Sequence, residues 1–255
     1  MKTRVIRWGV LTIFLGTITW YALGYGSRSF ENLCPFGGVA SLYGLFQDGE
    51  FTCALGPANF SLFLAVIALT LIAKRAFCGW VCPLGFISEL VFRFREKITG
   101  KRIKKIPTKV NSWLKPLRYI VLVVVLYYTW HTGDLIFRGY DPFYAIFSGF
   151  GHGTLGWITW AVLAIFAIGS WFIPMFFCRY FCPLAAVMDP LSLIGLIKVS
   201  RNPETCIDCE KCHKVCPHDL HPDTVNVLRH SDCTNCLECI DACPVKECMS
   251  LKAKV

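Results

Sequence analysis

Fifteen cysteines stand in a chain of 255 residues, and most of them fall at metal-ligand spacings. The densest group is a doubled run. Cys206, Cys209, Cys212 and Cys216 are followed by Pro217, and Cys233, Cys236, Cys239 and Cys243 by Pro244. Each run reads C-x-x-C-x-x-C-x-x-x-C-P. Thiolates are soft ligands, suited to zinc, copper(I) or iron–sulfur clusters. Zinc sites use paired C-x-x-C groups. Eight cysteines in this doubled order point instead to two [4Fe–4S] clusters, the fourth cysteine of each run serving the other cluster. The expected ligands are Cys206, Cys209, Cys212 and Cys243 for cluster one. They are Cys233, Cys236, Cys239 and Cys216 for cluster two. Cys248 lies outside the pattern and reads as a free thiol.

A second motif occurs twice, one hundred residues apart. Phe77-Cys78-Gly79-Trp80-Val81-Cys82-Pro83-Leu84 returns as Phe177-Cys178-Arg179-Tyr180-Phe181-Cys182-Pro183-Leu184. Three readings stand for Cys78, Cys82, Cys178 and Cys182. They hold a third metal centre, they form a redox-active dithiol pair, or they pack helix ends as small buried side chains. Four thiolates together would be costly, and Lys74, Arg75 and Arg179 stand nearby to offset the charge.

The remainder of the chain must position these groups. Hydrophobic residues make up 55% and charged residues 17%, a greasy balance for a soluble domain. The apolar excess lies in four stretches, near residues 8–25, 57–73, 117–137 and 154–177. A spanning helix needs roughly 20 apolar residues. The first stretch is long for a signal peptide, and no A-x-A-like site follows it, so it reads as a retained anchor. From Lys74 to Arg118 there are twelve basic and two acidic residues, a balance of +10. From Lys198 onward eight bases meet nine acids. A basic loop between apolar spans is a topology signal before it is a nucleic-acid site. It places the loop, both termini and the cysteine-rich tail in the cytoplasm, where thiolates stay reduced.

The expected fold is therefore an α-helical membrane protein with four transmembrane helices in two repeated halves, residues 1–197. An α+β two-[4Fe–4S] ferredoxin domain follows, residues 198–255. Each half runs from an outer Pro-Phe turn through a span to C-x-x-x-C-P at the inner surface. The echo is Leu33-Cys34-Pro35-Phe36 against Tyr140-Asp141-Pro142-Phe143. Residues 86–94 and 191–197 read as helices lying along the interface. In the outward loops, His131, Asp134, Asp141 and His152 are candidates for a quinone site, beside Tyr140 and Phe143. Loop residues that are merely solvated are the plainer alternative for each. Cys34 and Cys53, also outside, are open to a disulfide. His213, His218, His221 and His230 surround the clusters as hydrogen-bonding residues. No P-loop motif marks a nucleotide site.

Four spans, two C-x-x-x-C-P motifs and the doubled ferredoxin tail resemble the NapH/MauN family of membrane ferredoxin-type proteins. The combination also occurs in a wider polyferredoxin group with NosR-like and CcoG-like members. The resemblance implies electron transfer between the quinone pool and a respiratory partner enzyme at the inner membrane. Partners would be lipid, quinone or quinol, and ferredoxin-like or cytochrome subunits, with no nucleic acid. CcoG-like members imply the alternative, an assembly factor that reduces metal or thiols for another oxidoreductase.

Overall fold

The computed structural model describes residues 2–25, 37–38, 56–100, 108–132, 141–147 and 157–253. It is mostly helical. Helix α1 spans Lys2–Trp20. Then come α2 (Gly56–Ala73), α3 (Ala76–Trp80) and α4 (Pro83–Thr99). Two further helices are α5 (Thr108–Leu114) and α6 (Leu117–Thr132). The second half repeats the first with α7 (Pro142–Phe147), α8 (Trp157–Phe172), α9 (Phe176–Tyr180) and α10 (Pro183–Ile194). The tail holds β1 (Ile197–Arg201), α11 (Lys211–Lys214), α12 (Glu238–Asp241) and β2 (Met249–Ala253).

Among the described residues two helical stretches have the length and apolar composition to cross a bilayer, Thr3–Leu23 and Val110–His131. The second includes α5 and α6. Helices α2 and α8 are shorter and apolar. Their apolar side chains are largely on the outside: Leu64, Ile72, Trp157, Ile165 and Phe172 are all exposed. Water would oppose that arrangement and lipid would favour it.

The two halves are built alike. Lys74 ends α2 and Met175 precedes α9, both in the left-handed region, with φ of 59° and 54°. Each then makes one short helical turn that carries the first cysteine of its motif. Cys82 and Cys182 occupy the N-caps of α4 and α10, with Pro83 and Pro183 at the first helical turn. Proline suits that place because its missing N–H would be unpaired there. The halves then exchange partners. Helix α4 packs on α8, while α10 packs on α2 and α6. Ser88 and Ser170 hydrogen-bond across the first of these seams at 2.9 Å.

Two expected boundaries move. The amphipathic segment at 86–94 belongs to a longer helix that starts at Pro83. The segment expected as a helix over 191–197 is split. Helix α10 ends at Ile194, and Ile197 already pairs in a strand. Leu196 donates to Leu71 O at 3.0 Å, so the linker is tied to α2. Strands β1 and β2 are antiparallel, with Val199 opposite Leu251 and Arg201 opposite Met249. The tail core under them is Val199, Leu220, Leu228, Met249 and the cysteines.

Candidate metal centres

The doubled run folds as two copies of one loop, 27 residues apart. Asp208 and Glu210 are left-handed in the first, with φ of 48° and 55°. Asn235 and Leu237 match them in the second, at 45° and 62°. Asp and Asn tolerate that region better than most residues. The Cys206 Sγ lies 3.5 Å from Asp208 Oδ1, and the Cys233 Sγ 3.5 Å from Asn235 Oδ1. One short helix follows each loop, α11 and α12.

The fourth cysteines cross over. Cys216 is within electrostatic reach of Cys236 and Cys233, and Cys239 of Cys236, Cys233 and Cys216. Cys243 is grouped with Cys206 beside Cys248. Burial pushes the thiols of Cys216 and Cys239 up, and that of Cys236 to about 11. Such thiols stay protonated alone, and bound iron would deprotonate them. The donor set therefore fits two cubane clusters. Cys248 is buried in the same core, its thiol 3.8 Å from Asn202 O.

The repeat cysteines also converge. Cys82 and Cys178 hydrogen-bond to each other across the two halves, and Cys78 and Cys182 lie within electrostatic reach of both sets. Cys82 and Cys182 stand at the N-termini of α4 and α10, where the Leu84, Gly85, Leu184 and Ala185 amides act on them electrostatically. Helix N-termini of this kind stabilise thiolates. A Cβ on Gly85 would come within 2.6 Å of Cys78 O, so glycine lets α4 start this close to α3. The surroundings are apolar: Phe77, Leu84, Phe177 and Leu184 are buried around the four sulfurs. Among the described cysteines none is in a disulfide.

Asp141 is not on an outer face. It is buried, accepts the Phe143 amide at 3.0 Å, and acts electrostatically on Cys82 and Cys182. Helix α7 carries Phe143 and Phe147 into the cluster that holds Leu84 and Phe177. The loop read as outward thus folds back towards the repeat cysteines. His131 is exposed on α6 with its ring 4.7 Å from that of Tyr127. These two quinone candidates occupy different environments. Asp134, Tyr140 and His152 lie outside the described residues, as do Cys34 and Cys53.

The basic loop has work that its composition hid. Asp232, just before Cys233, is buried against Arg75 at 3.3 Å, Arg118 at 3.1 Å and Lys115 at 2.7 Å. Burial alone would raise its pKa, but Arg75, His218 and Lys115 hold it well below the usual carboxylate range. Asp189 on α10 joins the same arginines, Arg75 and Arg118, and accepts from Tyr119 OH at 2.8 Å. Lys74 donates to Leu228 O at 2.7 Å and His230 O at 3.0 Å, while Arg75 acts on Cys78 and Cys182. A second network joins Arg7 of α1, Glu89 and Arg93 of α4, and Glu238 of α12. The alternating i, i+4 pair Glu89 and Arg93 was the one visible hint of it.

Loop two is pressed into the membrane part. Trp80 Nε1 donates to Asn235 O at 3.0 Å, and Asn235 donates to Ala73 O and Ile197 O at 3.0 and 3.1 Å. A Cβ on Gly79 would meet Thr234 Cβ and O, both at 3.0 Å. The first C-x-x-x-C-P motif and the second ferredoxin loop are therefore in contact.

Comparisons with known proteins agree with this division. The family described as "4Fe-4S binding domain" matches residues 55–102 and again 154–202, one match per half. The family described as "4Fe-4S dicluster domain" matches residues 198–244. The protein MJ0750 of Methanocaldococcus jannaschii is 35% identical over 184 residues, 71% of this chain and 73% of its own. YccM of Escherichia coli K12 is 29% identical over 253 residues, 92% of this chain and 70% of its own. The ferredoxin-type protein NapH of the same organism is 31% identical over 202 residues, 73% of this chain and 66% of its own. No solved structure matches the chain. With its repeated cysteine halves, dicluster tail and these relatives, the chain is an iron–sulfur electron-transfer protein and belongs to the NapH-type membrane ferredoxin family.

Proposed function

We propose that the chain is a four-span inner-membrane electron carrier with three iron–sulfur centres, linking the quinone pool to a respiratory redox partner. The observation that carries this reading is the convergence of Cys78, Cys82, Cys178 and Cys182, in contact with the loop of the second tail cluster. Bound there, iron–sulfur clusters supply one-electron transfer, with potentials set by charge, hydrogen bonds and solvent.

The chain's own residues then have distinct tasks. Cys206, Cys209, Cys212 and Cys243 hold cluster one, and Cys233, Cys236, Cys239 and Cys216 hold cluster two. The Leu84, Gly85, Leu184 and Ala185 amides would favour the charged form of the Cys82 and Cys182 thiolates. Arg75 offsets negative charge between that centre and Asp232. Trp80, Asn235 and Gly79 hold cluster two's loop against α3. Quinone would bind within the membrane part, where Asp141 is a buried carboxyl that acts on Cys82 and Cys182.

Iron counting on anaerobically purified protein tests the reading. Three clusters require about twelve irons per chain and two require about eight. Cys78→Ser with an intact tail is expected to lower the count by about four. An unchanged count would remove the third centre and leave a dithiol reading, supported by the Cys82–Cys178 hydrogen bond, which fits a maturation factor. Absence of iron from the tail would overturn electron transfer altogether.

A further inference from the structure

The two ferredoxin loops share a backbone but not a neighbourhood. In loop two the tip residues Thr234 and Asn235 are 2% and 6% exposed. Their equivalents in loop one, Ile207 and Asp208, are 63% and 81% exposed. The φ values, the Sγ–Oδ1 contacts and the following helices are the same in both. Loop geometry therefore does not account for the difference. Loop two has a receptor, and loop one has none among the described residues.

What loop two's receptor offers is on the page. Gly79 gives a notch without a side chain, Trp80 gives a donor, and Arg75, Lys115 and Arg118 pair with Asp232 at the foot of the loop. Loop one carries chemistry of its own. Ile207 is an apolar tip. Asp208, Glu210 and Asp223 line the hollow beside Cys206 and Cys209 with Arg201 as the one base there. Arg201 engages Asp208 at 3.2 Å, and Glu210 is shared with Lys214 at 3.9 Å. An exposed aliphatic beside carboxylates, over a buried redox group, is the pattern of a transient contact with a basic face.

We propose that the Cys206–Cys212 loop is the docking surface for an exchangeable redox protein with a basic face. In this contact Ile207 is the apolar anchor and Asp208 a carboxylate facing the partner's basic groups. The proposal rests on the electron-transfer reading above. One electron crosses per encounter, the donor being oxidised and the acceptor reduced by one. The tail thus has a fixed pole towards the membrane and an open pole towards solvent.

The test uses the full chain, iron-loaded, in detergent or nanodiscs, with mitochondrial cytochrome c as a basic one-electron probe. Binding is measured by thermophoresis at low ionic strength, and ferric haem reduction by stopped flow. Asp208→Asn copies the natural residue of loop two and keeps the left-handed turn. It is expected to weaken binding and slow reduction by about threefold. Ile207→Lys is expected to do so by about tenfold, and salt is expected to erase both differences. Glu96→Gln on α4 serves as a distant control and is expected to change neither. The proposal is overturned if both loop variants stay within twofold of the parent while iron content and cluster EPR signals are intact. It is also overturned if the control has the same effect. Loss of iron from the parent tail would instead defeat the underlying electron-transfer reading.

Discussion

Asp232 shows how a single residue decides the environment of a cluster. It sits one position before Cys233 and neutralises part of a cationic group formed by Arg75, Arg118 and Lys115. Removing one partner from a buried pair leaves an uncompensated charge, a change of roughly 3–5 kcal/mol. His218 is the neighbouring case. It is buried two residues after Cys216, and burial lowers its pKa from 6.5 to about 3. An imidazole depressed in the folded state contributes stability above pH 6.5 and loses it as pH falls towards 3. The expected outcome is a tail whose thermal midpoint, followed by loss of cluster absorbance, declines below about pH 6.5. His218→Phe should flatten that decline relative to the parent, and parallel curves for the two proteins would refute the assignment.

At the scale of elements, the controlling contact is between α3 and loop two. Gly79 is required by what it meets. A Cβ there would press on the Thr234 side chain and carbonyl, both at 3.0 Å. Gly79→Val is expected to push loop two away and raise hydrogen exchange at residues 233–238 by at least tenfold. The iron content of cluster one should remain unchanged. Hydrogen-exchange mass spectrometry of the purified protein checks this. The equivalent position in the other half is Arg179, which is buried and lies over the Tyr180 ring at 5.6 Å. The repeat is thus broken at the position where the first half meets loop two.

For the whole molecule, the two ends of the chain meet. Arg4 donates its amide to Asp241 at 3.2 Å, Thr3 hydrogen-bonds the same carboxylate, and Arg7 reaches Glu238 at 2.8 Å. The start of α1 and the tail therefore share one side of any bilayer crossed by the spans. The positive-inside pattern predicts that this side is the cytoplasm. Epitope tags at either terminus are expected to be cleaved by protease in inverted vesicles and protected in right-side-out spheroplasts. Opposite protection of the two tags would exclude the fold as drawn. Arg7→Gln should loosen this junction while leaving both tags on the same side.

Much of this was legible because cysteine spacing is local. Three ligands within seven residues specify a loop by sequence distance alone, and the doubled C-x-x-x-C-P motif announced two similar halves. Apolar runs announced helices for the same reason, since composition over a turn or two sets them. The tertiary structure decided the rest. It brought Cys82 and Cys178 together from one hundred residues apart, and carried Asp141 from an expected outer loop into the protein. It turned Arg75, Lys115 and Arg118 from topology signals into the receptor for one ferredoxin loop. Those facts depend on how separate elements pack, and no spacing along the chain encodes them. The same cause explains why two loops alike in backbone and ligands differ in exposure: among the described residues, one has a neighbour and the other has none.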